Sequence, residues 1–495
     1  MHYERSSGIL LHITSLPGKY GIGTMGREAY EFVDFLVESG QKIWQILPLG
    51  HTGYGDSPYQ CFSAFAGNPL LIDPEKLVQM GLLSKEDLPD EHFDDQWVDF
   101  GAVFNYKYPM LKKAYNNFVG QNNRLQLIRF ENFCIRNQAW LEDYAFFMAL
   151  KVQQKGKAWT EWDHQIKVRE TEAVNRYREH LSDEINFYRF VQFLFFSQWL
   201  ELKAYANING IRVFGDIPLY VAFDSADAWA NPELFEFDEQ LNPITVAGVP
   251  PDYFSETGQL WGNPIYDWDY LEKDGFSWWI ERIRSSFLLY DILRIDHFRG
   301  LAAYWAVPFG EKTAVKGKWV RARGREMLEA VIQALGDLPI IAEDLGVITP
   351  DVVELRDDFG MPGMKILQFA FDSGEENDFI PHTYNKNTVV YTGTHDNDTT
   401  LGRFSEASEE DRQMMRDYFR IDENDPAWSF IRLAWSTVSD MALAPLQDVL
   451  RQDSNARMNF PGKASGYWRW RFKKDDLTSR HAEDLMKLTR IFGRR

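Results

Sequence analysis

Cysteine is nearly absent: Cys61 and Cys134 are the only two in 495 residues. Two thiols make neither a disulfide framework nor a metal cluster, so a reducing compartment, the cytoplasm, is expected. The N-terminus has no basic stretch followed by a long apolar run, and no secretory signal is read there. No apolar run reaches the roughly 20 residues that a membrane helix needs, so no membrane partner is expected. Positive charge is also short. Lys and Arg total 53 against 73 Asp and Glu, a net charge of -20. Such a surface repels phosphate backbones and argues against nucleic acid as a partner. There is no HExxH pattern and no close histidine pair, so no metal is expected, and nothing implies an organic cofactor.

What is present is length and aromatic surface. The chain is too long for one small domain and suits a large barrel with insertions. Aromatics make up 15%, with 17 Trp, 22 Tyr and 36 Phe; this serves a large core and also matches the apolar face of a sugar ring. Short apolar runs recur, each ending in polar, mostly acidic or His-containing residues. They lie at 8–18, 41–51, 210–221, 291–300, 338–346, 364–372 and 388–398, with a weaker eighth at 440–450. Runs of this length, rich in Ile and Val, read as buried parallel strands. Residues 27–39 have helical periodicity and stop at Gly40.

Strands alternating with helices predict an α/β fold. Eight of them, with polar residues at their C-terminal ends, predict a (β/α)8 barrel of the TIM type. An open doubly wound sheet would gather polar residues at the same ends, so it is the count that favours the barrel. Residues 1–495 read as one catalytic barrel domain. An inserted, mainly helical subdomain at 59–205 follows the second strand. An inserted segment at 222–290 follows the third and includes a lid loop at 250–264, rich in turn formers and aromatics. The stretch GYWRWRFKKDD at 466–476 reads as ordinary packing beside a solvated basic patch.

Three acids close buried runs: Asp296 in LRIDHFRG, Glu343 in IIAEDLG and Asp396 in YTGTHDND. One such carboxylate caps a helix or joins a structural ion pair often enough; three at equivalent strand ends point to a shared site. Arg294 lies two residues before Asp296, on the same face of a strand, and a guanidinium there favours the ionised carboxylate a nucleophile needs. Glu343 follows an apolar run, and burial raises a carboxyl pKa, as a general acid requires. His297 and His395 each neighbour an acid and can donate to sugar hydroxyls. One ionised and one protonated carboxyl are the apparatus of glycoside chemistry, about 5–5.5 Å apart in retaining enzymes.

LRIDHFRG, IIAEDLG and GTHDND resemble the three signature motifs of the α-amylase clan. Their order and details are closest to the amylomaltases, the 4-α-glucanotransferases of glycoside hydrolase family 77. GDIPLYVAFDSADAW at 215–229 resembles the clan's strand-three motif. SSGILLHITSLPG, WQILPLGHTGYGDSPYQCFSAFAGNP, GVPPDYFSETGQLWGNPIYDW and ARMNFPG are similar to this family in particular, so the match runs from residue 6 to about 472. The resemblance implies Asp296 as nucleophile, Glu343 as general acid/base and Asp396 as transition-state stabiliser. It implies Arg294, His297, His395 and Asp216 around the cleaved sugar, Ser57 and Tyr59 as donor-side contacts, and Trp261 in a mobile loop over the cleft. Tyr54 offers a further platform on the same rim, and Asp372, closing the run MKILQFAFD, is taken as another substrate contact.

The implied fold has no C-terminal β-sandwich. The implied activity moves segments of α-1,4-glucan, from maltooligosaccharides, starch or glycogen chains, to the 4-hydroxyl of an acceptor glucan or glucose, by retaining double displacement and without cofactor or metal. Hydrolysis of α-1,4-glucans by the same machinery is the competing activity. A non-catalytic glucan-binding protein has no need of three carboxylates. Nothing in the sequence fixes an oligomeric state.

Overall fold

The computed structural model describes residues 3–53, 55–90, 92–251, 255–371, 377–463 and 465–495. Each of the eight apolar runs overlaps a strand. These are β1 (Ser6–Leu10), β2 (Ile43–Gln45), β3 (Arg212–Ile217), β4 (Ile292–Ile295), β5 (Ile340–Ala342), β6 (Gly363–Ile366), β7 (Thr388–Tyr391) and β8 (Met441–Pro445). They pair in parallel in the order β6-β7-β8-β1-β2-β3-β4-β5. The Ala342 N–H donates to the carbonyl of Pro362, just ahead of β6, at 3.0 Å and closes the circle. The result is the (β/α)8 barrel. The weak eighth run is a full strand between β7 and β1. Its Met441 and Leu443 face the barrel interior while the small Ala442 and Ala444 meet the outer layer, which dilutes its apolar signal.

Side-chain alternation explains where the polar residues go. Ile43, Phe214, Ile292, Ile341, Val389 and Leu443 belong to the cluster that fills the barrel, each contributing about 1.5–3 kcal/mol by burial. A step of two along a strand keeps the same face. From Phe214 that step reaches Asp216, from Ile292 it reaches Arg294 and Asp296, and from Ile341 it reaches Glu343. The acids thus sit as the top polar layer above an apolar plug.

The helix Arg27–Glu38 buries Phe32, Val33, Phe35 and Leu36 and ends before Gly40, whose φ of 72° suits glycine. The helix Ser479–Ile491 packs beside it. Between β2 and β3 run the helices Phe100–Gln121, Arg124–Arg136, Gln138–Gln153 and Ser182–Ile208. The last packs on β3 and on Arg27–Glu38, so the boundary read at residue 205 falls inside a helix of the barrel's own outer layer.

Strands Thr245–Val249 and Gln259–Pro264 join Ala303–Pro308 and Lys318–Arg321, from beyond β4, in a four-stranded antiparallel sheet. The segment read as a lid at 250–264 is therefore strand from Gln259 onward; its Tyr253 and Phe254 lie outside the described residues. The stretch 466–476 packs as read, with Trp468, Trp470 and Phe472 buried beside the solvated Lys473 and Lys474, and departs from that reading at one residue. Arg471 is buried and donates to the carbonyls of Gly18 at 2.7 Å and Asp94 at 2.8 Å, tying the C-terminal segment to the N-terminal one. No described helix is long and apolar enough to cross a membrane. No three His, Cys, Asp or Glu among the described residues are grouped to hold a metal ion, and Cys61 and Cys134 are unpaired thiols.

Candidate active site

Register brings the first partners together. Asp216 on β3 lies directly across from Arg294 on β4, and Arg294 from Ile341 on β5. The buried Arg294 guanidinium donates through Nη1 to Asp216 and through Nη2 to Asp296 Oδ1 at 2.7 Å. Asp216 has no exposed side-chain surface, whereas the Asp296 side chain is 29% exposed. Removing one member of such a buried pair costs about 3–5 kcal/mol, because a bare charge is left behind.

One guanidinium serving two acids changes the expected balance at Asp296. Arg294 does favour the ionised form, but burial outweighs it and the carboxyl moves up from its ordinary value. Asp216 is pushed up to about 7, also by burial, with Arg294 opposing. Glu343 is pushed up to about 8, again by burial, with Arg294 opposing and the negative Asp296 adding to the rise. Unlike Asp296, Glu343 has no cation bonded to it among the described residues. Its Oε2 accepts the His297 N–H at 2.7 Å and its Oε1 accepts the Leu345 N–H at 3.1 Å. His297 has a φ of 52°, and this left-handed turn directs its amide at Glu343. The proton of the trio therefore belongs on Glu343. The charge belongs on Asp296, which has both the guanidinium and contact with solvent.

Asp396 follows β7. Its Oδ1 accepts Asn459 Nδ2 at 2.6 Å and lies 3.4 Å from His395 Nε2, while its carbonyl accepts Arg457 Nη2 at 2.8 Å. His395 is buried, and desolvation lowers its pKa; His297 is lowered to about 3 for the same reason, so both rings are neutral donors. The Tyr59 ring stacks on His395 with centroids 5.2 Å apart and planes 12° apart, and its hydroxyl donates to Asp216 Oδ2 at 2.8 Å. Ser57 Oγ accepts the Tyr59 N–H at 3.2 Å, which fixes the turn that delivers the ring. Trp261, on the strand Gln259–Pro264, meets His297 edge to face at 4.6 Å.

Tyr59, Asp216, Trp261, Arg294, Asp296, His297, Glu343, His395 and Asp396 are thus linked by direct contacts, with Ser57 behind Tyr59. Tyr54 and Asp372 lie outside the described residues. Asn459, Arg457 and Trp468 were not read as site residues. The segment ARMNFPG pointed to the first two without assigning a role. Trp468 lies 5.8 Å from the Tyr59 ring and 5.7 Å from His395, and only its place in an aromatic run hinted at it.

A closed parallel barrel with a cluster of carboxyls at the C-terminal ends of adjoining strands has the architecture of a TIM-barrel enzyme. A family model described as 4-alpha-glucanotransferase matches residues 11–478. The 4-alpha-glucanotransferase of Clostridium butyricum is 49% identical, over 98% of this chain and 100% of that protein. The enzyme of that name from Thermus thermophilus is 49% identical, over 98% of each chain. The structure of an amylomaltase from Streptococcus agalactiae in complex with acarbose superposes with a TM-score of 0.96 at 45% identity, covering 99% of this chain and 100% of that one. The chain belongs to the 4-alpha-glucanotransferase family.

Proposed function

We propose that the chain moves segments of α-1,4-glucan to the 4-hydroxyl of another glucan, or of glucose, through a glycosyl ester on Asp296. Glu343 gives its proton to the glycosidic oxygen as an Asp296 oxygen bonds to the sugar C1. The C1–O bond breaks and the leaving chain departs with the proton. The acceptor hydroxyl then attacks C1, its proton passes to Glu343, and the ester bond to Asp296 breaks. Two displacements at one carbon retain the α configuration.

Asp396, aligned by Asn459, holds sugar hydroxyls as positive charge develops at C1. Asp216, His297, His395 and Tyr59 surround the same sugar. Donors are maltooligosaccharides and starch or glycogen chains. The two free thiols suit the cytoplasm.

The observation that carries this reading is the contrast between Asp296, bonded to Arg294, and Glu343, raised to about 8 by burial. Maltotriose as the sole substrate tests it. Glucose should appear together with chains longer than maltotriose. Shorter sugars alone, with reducing ends rising steadily, would mark a hydrolase instead.

A further inference from the structure

All 17 tryptophans of the chain lie among the described residues, and only Trp97 and Trp319 are exposed, at 37% and 41%. Trp97 forms a β-bridge with Trp470. Trp319 has a different setting. It stands on Lys318–Arg321, the edge strand of the antiparallel sheet. Edge strands favour charge, as in Lys318 and Arg321, and tryptophan is on average well buried, so an open indole here is unusual on both counts.

The ring is also held in place. Trp319 is the cross-strand partner of Trp305 and meets it edge to face at 5.3 Å. The Arg299 guanidinium lies 3.9 Å above the ring centre, and the same guanidinium donates to the Val347 carbonyl at 2.5 Å. Trp305 is anchored in turn, its Nε1 donating to the Ala314 carbonyl at 2.8 Å. Arg299 thus covers one face of the indole, and the residue as a whole is 41% exposed. Arg299 follows Asp296 by three residues and Val347 follows Glu343 by four. The braced ring therefore stands on the β4–β5 rim, beside the loop that carries the general acid. Trp261 lies at the opposite edge of the same sheet, three strand spacings or about 14 Å away.

We propose that Trp319 is a sugar-stacking platform on the leaving-group and acceptor side of the cleft, seating a glucose residue several units beyond the cleaved bond. The indole shares its short strand with Lys318 and Arg321, so the strand does not offer the broad apolar patch that a stable protein interface needs. A chain of net charge -20 is ill suited to a polyanion. A neutral pyranose with an apolar face fits the ring, which stands beside the loop that follows Glu343 through Arg299 and Val347. The assignment rests on the glucan-transfer reading above, and it makes Trp319 a selector of chain length.

The test uses the full-length enzyme with a maltosyl fluoride donor at fixed concentration, and compares kcat/KM for maltopentaose and for glucose as acceptors. In Trp319→Ala the preference for maltopentaose should fall about three- to tenfold, the size of one aromatic stacking contact. Trp319→Tyr should restore most of it. An unchanged preference in Trp319→Ala, whether both rates hold or both fall together, would overturn the platform. A wild-type enzyme that passes the donor only to water would remove the transfer reading, and the platform with it. That failure shows before any variant is made.

Discussion

The floor and the wall of the site are built by different means. On the floor, Asp216, Arg294, Asp296 and Glu343 are set by adjoining parallel strands, and each continues the alternation of the apolar residues beneath it. In the wall, Tyr59, His395, Asp396, Asn459 and Trp468 come from turns and irregular segments far apart in sequence, joined by stacking and single hydrogen bonds. The floor is rigid because the sheet is rigid, and burial there tunes proton affinity. The wall fixes orientation through contacts that are individually modest. Changes to the floor should therefore act on chemistry, and changes to the wall on alignment.

The largest effects should come from the floor. Glu343→Gln should lower turnover of an ordinary glucan by about 10²–10⁴-fold, the usual worth of a general acid. It should still form a glycosyl-enzyme from a fluoride donor, whose leaving group needs no proton. Asp296→Asn should form none, and peptide mapping of the trapped adduct checks which residue carries it; an adduct elsewhere would reassign the nucleophile.

A wall residue should cost less. Asn459→Ala removes a 2.6 Å hydrogen bond to Asp396. Bonds to charged groups are worth about 1.5–3 kcal/mol, so kcat should fall about 10- to 100-fold with the fold intact, as steady-state kinetics and circular dichroism can show. If Asn459→Ala matched the loss in Glu343→Gln, the division between floor and wall would fail.

The next effect is one of pH. In the proposed cycle Glu343 must hold a proton to act, and its pKa is raised to about 8, so rate should decline above about pH 8 with a slope of one decade per pH unit. The same shift bears on stability. The folded state binds this proton more tightly than an unfolded chain with the ordinary value of 4.5. The contribution is full below that value and is lost as pH rises to about 8. Denaturant titrations across that window should show a shallower pH dependence in Glu343→Gln than in the wild type.

The smallest effect should fall at the edge of the site. Trp261→Ala opens the cover over His297 and should raise the ratio of hydrolysis to transfer, with total donor cleavage falling less than transfer does. Free glucose and new reducing ends, counted side by side, give the ratio. An unchanged ratio would leave Trp261 as packing alone.

The floor was legible in the sequence and much of the wall was not. Runs such as DILRIDHFRG show a buried strand and the acid that ends it, because strand periodicity extends to the site. The sharing of Arg294 with Asp216 was not legible, since it depends on the register of two strands separated by a long insertion. For that reason the expected support of the Asp296 charge by Arg294 is only part of the balance, in which burial weighs more. The antiparallel sheet was missed because its strands are short and lie on both sides of β4. The strand at Gln259 also sits among turn formers that read as a loop. Asn459 and Trp468 lie in irregular backbone, where no period marks which way a side chain points.

The coupling between Asp296 and Glu343 works as a clock. In the proposed cycle Asp296 loses its negative charge when it becomes an ester, and with it goes one of the influences that hold the Glu343 proton in place. The glutamate then gives up its proton more readily while the sugar is attached, and recovers its affinity when the sugar leaves. The same side chain is an acid in one half of the cycle and a base in the other, and the covalent state of its neighbour sets the order.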